Sequence, residues 1–169
     1  MTFHNLQIEN NLPDFTELKF KHIHKKYLIV LVLNFVLISS ILFASLFFLV
    51  KKKLIISIPE YTAYLYLGFG GICLLVLIFL FLGFSKRKYA IREKDISYSK
   101  GVLIQSLTTV PFARVQHIEL DERPFSRIFK LATIQIYTAG ESGGDLRISG
   151  IPKNEAIKIK EFITSYINE

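Results

Sequence analysis

Two runs of the chain contain no charged residue: Tyr27 to Val50, YLIVLVLNFVLISSILFASLFFLV, and Tyr61 to Phe84, YTAYLYLGFGGICLLVLIFLFLGF. No other feature narrows the possible folds so far. A helix of that length rises roughly 36 Å, enough to cross a hydrocarbon core of about 30 Å with some tilt. A helix on a globular surface carries a polar stripe, and neither run has one. Both are expected to span a bilayer. They also account for an apolar content of 51%, high for a soluble domain. Mostly polar residues 1–26 precede the first run, which exceeds the apolar part of a signal peptide, so it reads as a permanent anchor. The one cysteine, Cys73, lies inside the second run. A single thiol makes no disulfide framework and no cysteine-ligated zinc site within a chain.

Basic residues flank the runs unevenly. Lys19, Lys21, Lys25 and Lys26 stand before the first, and Lys86, Arg87, Lys88, Arg92 and Lys94 follow the second; the connecting loop holds Lys51, Lys52 and Lys53. Basic flanks favour the cytoplasmic side, so both termini are expected there and the loop, with Ser57, outside. The same flanks explain much of the net charge of +7 and suit anionic lipid. A nucleic-acid partner is not expected, because no basic stripe with interleaved aromatics and no recognition-helix pattern is present. Within the runs, Asn34, the Ser40 to Ala44 small-residue spacing, and Gly68 and Gly71 are candidate helix-packing positions, either within one hairpin or between chains. No ionisable residue lies in either run, which argues against an ion or proton pathway.

From Tyr89 the texture changes to short β-rich runs between turn signals. YAIREKDISYS reads as a hairpin with its turn near Lys94-Asp95. Lys100-Gly101 is the next turn, VLIQSLTTVPF a long strand ended by Pro111, and RVQHIELD a further strand before Pro124. LATIQIYTA sets Ile134 and Ile136 against Gln135 and Tyr137. GESGGD is a loose turn and LRIS a short strand. After Gly150-Ile151-Pro152 the period becomes helical, with Ala156, Ile159, Phe162, Ile163, Tyr166 and Ile167 on one stripe. The predicted organisation is α+β: segment 1–26, two spanning helices within 27–84 (27–50 and 61–84), and a domain over 85–169. That domain should be an antiparallel barrel or sheet of six to seven strands capped by a C-terminal helix.

That arrangement resembles the pleckstrin-homology fold, and the residues look like the bacterial PH-like domain of small membrane proteins of the YdbS-like family. The resemblance rests on YAIREKDISYSKG, VPFARVQHIEL, RPFSRIFKLATIQIYTAG, ISGIP and the final helix, and it covers about residues 20–169. It is most specific between Val110 and Gly140. Lys130 departs from it, standing where a glycine would be expected after a short helical turn. The resemblance implies a bacterial plasma-membrane protein, often accompanied by a larger sister protein with several such domains.

The chemistry of the domain is sparse. In a regular strand Val115, His117, Glu119 and Asp121 would share one face, with Arg114, Gln116, Ile118 and Leu120 on the other. His117, Glu119 and Asp121 lack a second histidine to complete a metal shell or orient a base. No GxSxG, HExxH, P-loop or dinucleotide motif occurs, and the glycines at 140–144 join two strands instead of opening a helix. No enzyme and no cofactor is expected. The bland reading of Arg114, Gln116 and His117 is a solvated strand face. The sharper one is an interaction surface of these residues with Phe125 and Arg127, from an apolar and basic turn suited to a partner or a bilayer surface. The expected function is non-enzymatic: a cytoplasmic PH-like module scaffolding a membrane complex, with the lipid bilayer, a sister protein or a second copy as partners. A subunit of an export or envelope-defence system is the alternative.

Overall fold

The structure, a computed structural model, describes residues 19–52, 59–139 and 145–167. The glycine-rich turn at 140–144, and Asn5, Ser57 and Glu169, lie outside the described residues. A two-residue strand β1 (Lys21–His22) leads into helix α1 (Lys26–Lys51), and helix α2 (Pro59–Ser85) returns. Strands β2 (Lys88–Ile91), β3 (Asp95–Lys100) and β4 (Ser106–Pro111) follow, then a 3-10 turn at Phe112–Arg114 and strand β5 (Val115–Asp121). Helix α3 (Pro124–Ile128), strands β6 (Leu131–Thr138) and β7 (Leu146–Pro152) and helix α4 (Lys153–Ile167) complete the chain.

Helices α1 and α2 pack side by side through aromatic rings, Phe43 lying 5.8 Å from both Tyr66 and Phe69. Their remaining surface is apolar and bare: Ile38, Leu42, Leu67 and Ile72 are each more than half exposed. An aqueous helix would not present such a surface all round; a bilayer covers it.

Among the described residues the strands form two antiparallel sheets, β1-β2-β3-β4 and β5-β6-β7, and do not close into a barrel. The first sheet offers Tyr89, Ile96, Tyr98 and Val110 to the core, with Ile23 just after β1 beside them, and the second Ile118, Ile134, Ile136, Ile148 and Ile151. Helix α4 adds Ala156, Ile159 and Ile163, and Phe112 of the 3-10 turn is fully enclosed. Close to the seam between the sheets, the His24 N–H donates to the Gly150 carbonyl at 2.9 Å.

Two local features differ from the sequence expectation, and at a third, Lys130, the backbone takes the geometry expected of a glycine there. The run after Gly101 is not strand from its start: Gly101 has φ +113° and turns the chain sharply, so Val102–Gln105 is loop and β4 begins at Ser106. LRIS extends to Pro152, with Gly150 at φ +88° forming the extra residue of a bulge opposite β6. Lys130 does adopt a left-handed φ of 56°, the geometry that favours glycine, and its carbonyl accepts the Lys153 N–H at 2.9 Å.

The segment ahead of the membrane is joined to the domain behind it. Lys21 and His22 pair with Tyr89 and Lys88 of β2, and Ile23 is buried in the core. Tyr27, in the first turn of α1, packs on Gly150, where an added Cβ would lie 2.5 Å from the Tyr27 Cγ. Arg87 places its guanidinium 6.0 Å from the centre of the same ring. The helical hairpin is thus keyed to the domain at both of its domain-side ends.

Candidate interaction surface

The exposed face of β5-β6-β7 begins with an irregularity. Val115 pairs with Thr138 and His117 with Tyr137, so Gln116 is an extra residue in β5. The bulge reverses the alternation at that point. Val115 turns inward with Ile118, and His117, Glu119 and Asp121 turn outward, so Val115 does not share their face as regular alternation predicts. Glutamine and histidine thereby become successive exposed residues.

Register then brings three strands' polar side chains together. His117 stacks on Tyr137 with ring centres 4.2 Å apart and planes 12° from parallel. The Tyr137 hydroxyl donates to Glu119 Oε2 at 3.1 Å, while Glu119 Oε1 lies 3.6 Å from His117 Nε2. One strand further on, the Gln135 amide donates to Asp121, whose Oδ2 is 3.9 Å from the Arg147 guanidinium. The hydrogen bond to Glu119, followed by partial desolvation and the nearby carboxylates of Glu119, Asp121 and Asp145, raises the Tyr137 pKa above its ordinary value. Exposed ion pairs of this kind contribute at most about 1 kcal/mol each, so the array is ordered more by stacking and register than by charge energy.

Among the described residues no three His, Cys, Asp or Glu side chains converge as a metal shell. His117 and Glu119 face solvent and are engaged with each other and with Tyr137. The arrangement suits recognition: a flat ring pair with donors and acceptors of both signs on a rigid sheet.

The other residues singled out from the sequence are placed as follows. Arg114 is exposed in the 3-10 turn, and its carbonyl accepts the Ala139 N–H at 3.1 Å. Phe125 is half-buried and Arg127 exposed on α3, at the other end of β5. A seven-residue strand spans roughly 20 Å, so Arg114 and Arg127 are not one patch. Helix α3 instead lies against α1 and leaves Ile128 71% exposed. Arg147 gave no signal of its own in sequence. Gln135 and Tyr137 were legible as a polar face, but only strand register sets them against Asp121 and His117.

In the membrane helices the Asn34 amide donates to its own helix, at the Val30 carbonyl, at 2.8 Å. Ser40 and Ala44 are exposed, and Gly68 and Gly71 have open space where a side chain would be. These small residues face outward, away from the contact between α1 and α2.

The chain matches the family described as "Bacterial PH domain" over residues 28–167. It is 27% identical over 77 residues to the UPF0699 transmembrane protein YdbS of Bacillus subtilis (strain 168); the matched stretch is 46% of this chain and 46% of that protein, so it spans under half the relative's length. Among solved structures it is similar to a DUF1696 family protein with a pleckstrin-homology domain from Shewanella loihica PV-4, with a TM-score of 0.37 and 14% identity over 48% of this chain and 70% of that one.

Proposed function

The chain belongs to the bacterial PH domain family, and from that premise we propose that it is a non-enzymatic interaction module, anchored in a bacterial plasma membrane with both termini cytoplasmic. The observation that carries this reading is the His117–Tyr137–Glu119 array, solvent-facing and ordered across β5 and β6. A rigid mount supports it, since β1 pairing and the Tyr27–Gly150 contact fix the domain to its anchor. A surface held in this way scans only partners in the same membrane, where tethering raises effective concentration and a weak contact is sufficient. The proposed partner is another membrane protein, either a larger protein with several PH-like domains or a second copy of this chain. Ser40, Ala44, Gly68 and Gly71 offer such a partner's helices a close approach. Membership of a family of PH domains, and side chains engaged in recognition-type contacts, support a function without chemistry of its own.

The test is partner recovery with full-length protein in mild detergent, wild type against His117→Ala/Tyr137→Ala. Co-purifying polypeptides should fall at least tenfold, while thermal unfolding changes little because both side chains lie on the outer face. Unchanged recovery with an intact fold would reduce the array to a solvated strand face.

A further inference from the structure

A second polar feature lies on the first sheet, away from the β5-β6-β7 face. Where that sheet meets the end of α2, a cavity of about 230 Å³ is lined by His22, Ser85, Lys86, Lys88, Ser99 and Gln105. Two lysines and several hydrogen-bonding side chains line it, and among the described residues no carboxylate does. Lys88 is held in place with its Nζ 4.5 Å from the centre of the Phe20 ring, a contact that leaves its charge intact. The carbonyl end of α2 acts against an anion here with roughly half a negative charge, which two ammonium groups outweigh.

The cavity's depth in the membrane follows from its neighbours. Ser85 is the last residue of α2, so the opening lies where the apolar span ends. The left-handed turn at Gly101, which also lines the cavity, sends the β3–β4 loop against that last turn; a Cβ added at Gly83 would lie 3.6 Å from Val102 Cγ2. At the tip of this loop Leu103 and Ile104 are 83% and 84% exposed, the barest large apolar side chains among the described residues. A soluble loop has no reason to hold two aliphatic residues outward beside a membrane helix, whereas acyl chains would bury them.

We propose that this cavity binds the phosphate of an anionic phospholipid while Leu103 and Ile104 enter the acyl region beside it. The lysines and polar groups meet the phosphate, and the apolar tip selects a phosphate carried by a lipid over one free in solution. Lipid binding here is separate from partner docking on the β5-β6-β7 face, and either can fail without the other.

Native mass spectrometry of full-length protein, titrated in neutral detergent with phosphatidylglycerol, phosphatidylcholine or inorganic phosphate, tests the site. Phosphatidylglycerol should bind more tightly than phosphatidylcholine and be displaced poorly by inorganic phosphate. Lys86→Gln/Lys88→Gln should weaken it by roughly fivefold per lysine. Lys94→Gln, the same charge change on the distal β2–β3 turn, should leave it unaltered. Should the double variant not fold, Lys86→Gln alone, on an exposed side chain, decides the point. An environment-sensitive dye on Leu103→Cys, in a Cys73→Ser background, should be quenched by lipids brominated in their acyl chains. Equal affinity for the two lipids, equal loss in Lys94→Gln, full competition by inorganic phosphate, or a dye quenched only from water would each overturn the proposal.

Discussion

Glu155 fastens the chain ahead of the membrane to the domain behind it. Its Oε1 lies 2.7 Å from both Lys21 Nζ and the Tyr89 hydroxyl, so one carboxylate joins β1, β2 and α4. Burial alone would raise its pKa, but hydrogen bonds from Lys21 and Tyr89, with the charges of Lys21 and His24, prevail and hold it below the usual 4.5. A depressed carboxyl stabilises the fold fully above the unfolded-state value and ceases to do so as pH falls through the folded-state value. Tyr89 shifts the other way: burial, then the bond to Glu155, pushes its phenol far above 10. Its contribution is therefore complete below pH 10 and declines as pH rises beyond that. Glu155→Gln should cost about 1 kcal/mol at pH 7, a modest figure because Lys21 is largely exposed. Thermal unfolding in detergent should show the gap between variant and wild type closing below about pH 4.5, the ordinary carboxyl value. A gap that persists at acid pH would mean that shape, not charge, matters at this position.

At the scale of elements, α4 shows how a helix closes a small two-sheet core. Its apolar stripe divides in two. Ala156, Ile159 and Ile163 are buried, whereas Phe162, Tyr166 and Ile167 remain 45%, 36% and 38% exposed. Phe162 and Tyr166 still touch the core, their rings tilted towards Phe112 at 5.9 and 5.6 Å. The division predicts unequal sensitivity along one face. Ile163→Asp places an uncompensated carboxylate at a fully enclosed site and should cost several kcal/mol, enough to abolish cooperative unfolding of the full chain. Phe162→Ala leaves no enclosed cavity and should cost roughly 1 kcal/mol. Equal effects in a melting experiment would show that the helix packs through its exposed half instead.

At the scale of the molecule, the membrane hairpin and the PH domain behave as one body because the chain crosses between them twice. The start of α1 is bound to the domain through β1, and the end of α2 continues into β2. Lys94 and the segment ahead of α1 are therefore on the same side, whichever side that is. The nine basic residues flanking that side, against three in the connecting loop, carry the proposal that it is the cytoplasmic one. In a Cys73→Ser background, a membrane-impermeant maleimide should label Lys52→Cys in intact cells and reach Lys94→Cys only after permeabilisation. The opposite pattern would invert the topology and with it the proposed partners.

The sequence alone determined the features set by composition and period. Two charge-free runs, with no polar stripe, have one physical solution in a bilayer. A switch from alternation to helical spacing after Pro152 marks where sheet gives way to capping helix. The turns at Lys94-Asp95 and Lys100-Gly101 and the glycine-like role of Lys130 were also legible, since backbone geometry at such points depends on local residues. Tertiary structure decided what local residues leave open. The bulge at Gln116 cannot be read from the alternation of VQHIEL, because an extra residue is favoured only when the partner strand's register demands it. The same register sets Tyr137 on His117 and Arg147 beside Asp121, pairs separated by 20 and 26 positions in the chain. Lys21 and His22 carry no strand signal of their own; they become β1 because β2 presents an unpaired edge exactly where α1 must leave the domain. Periodicity is a property of a segment, whereas register and edge pairing are properties of two segments meeting, and only the folded chain brings them together.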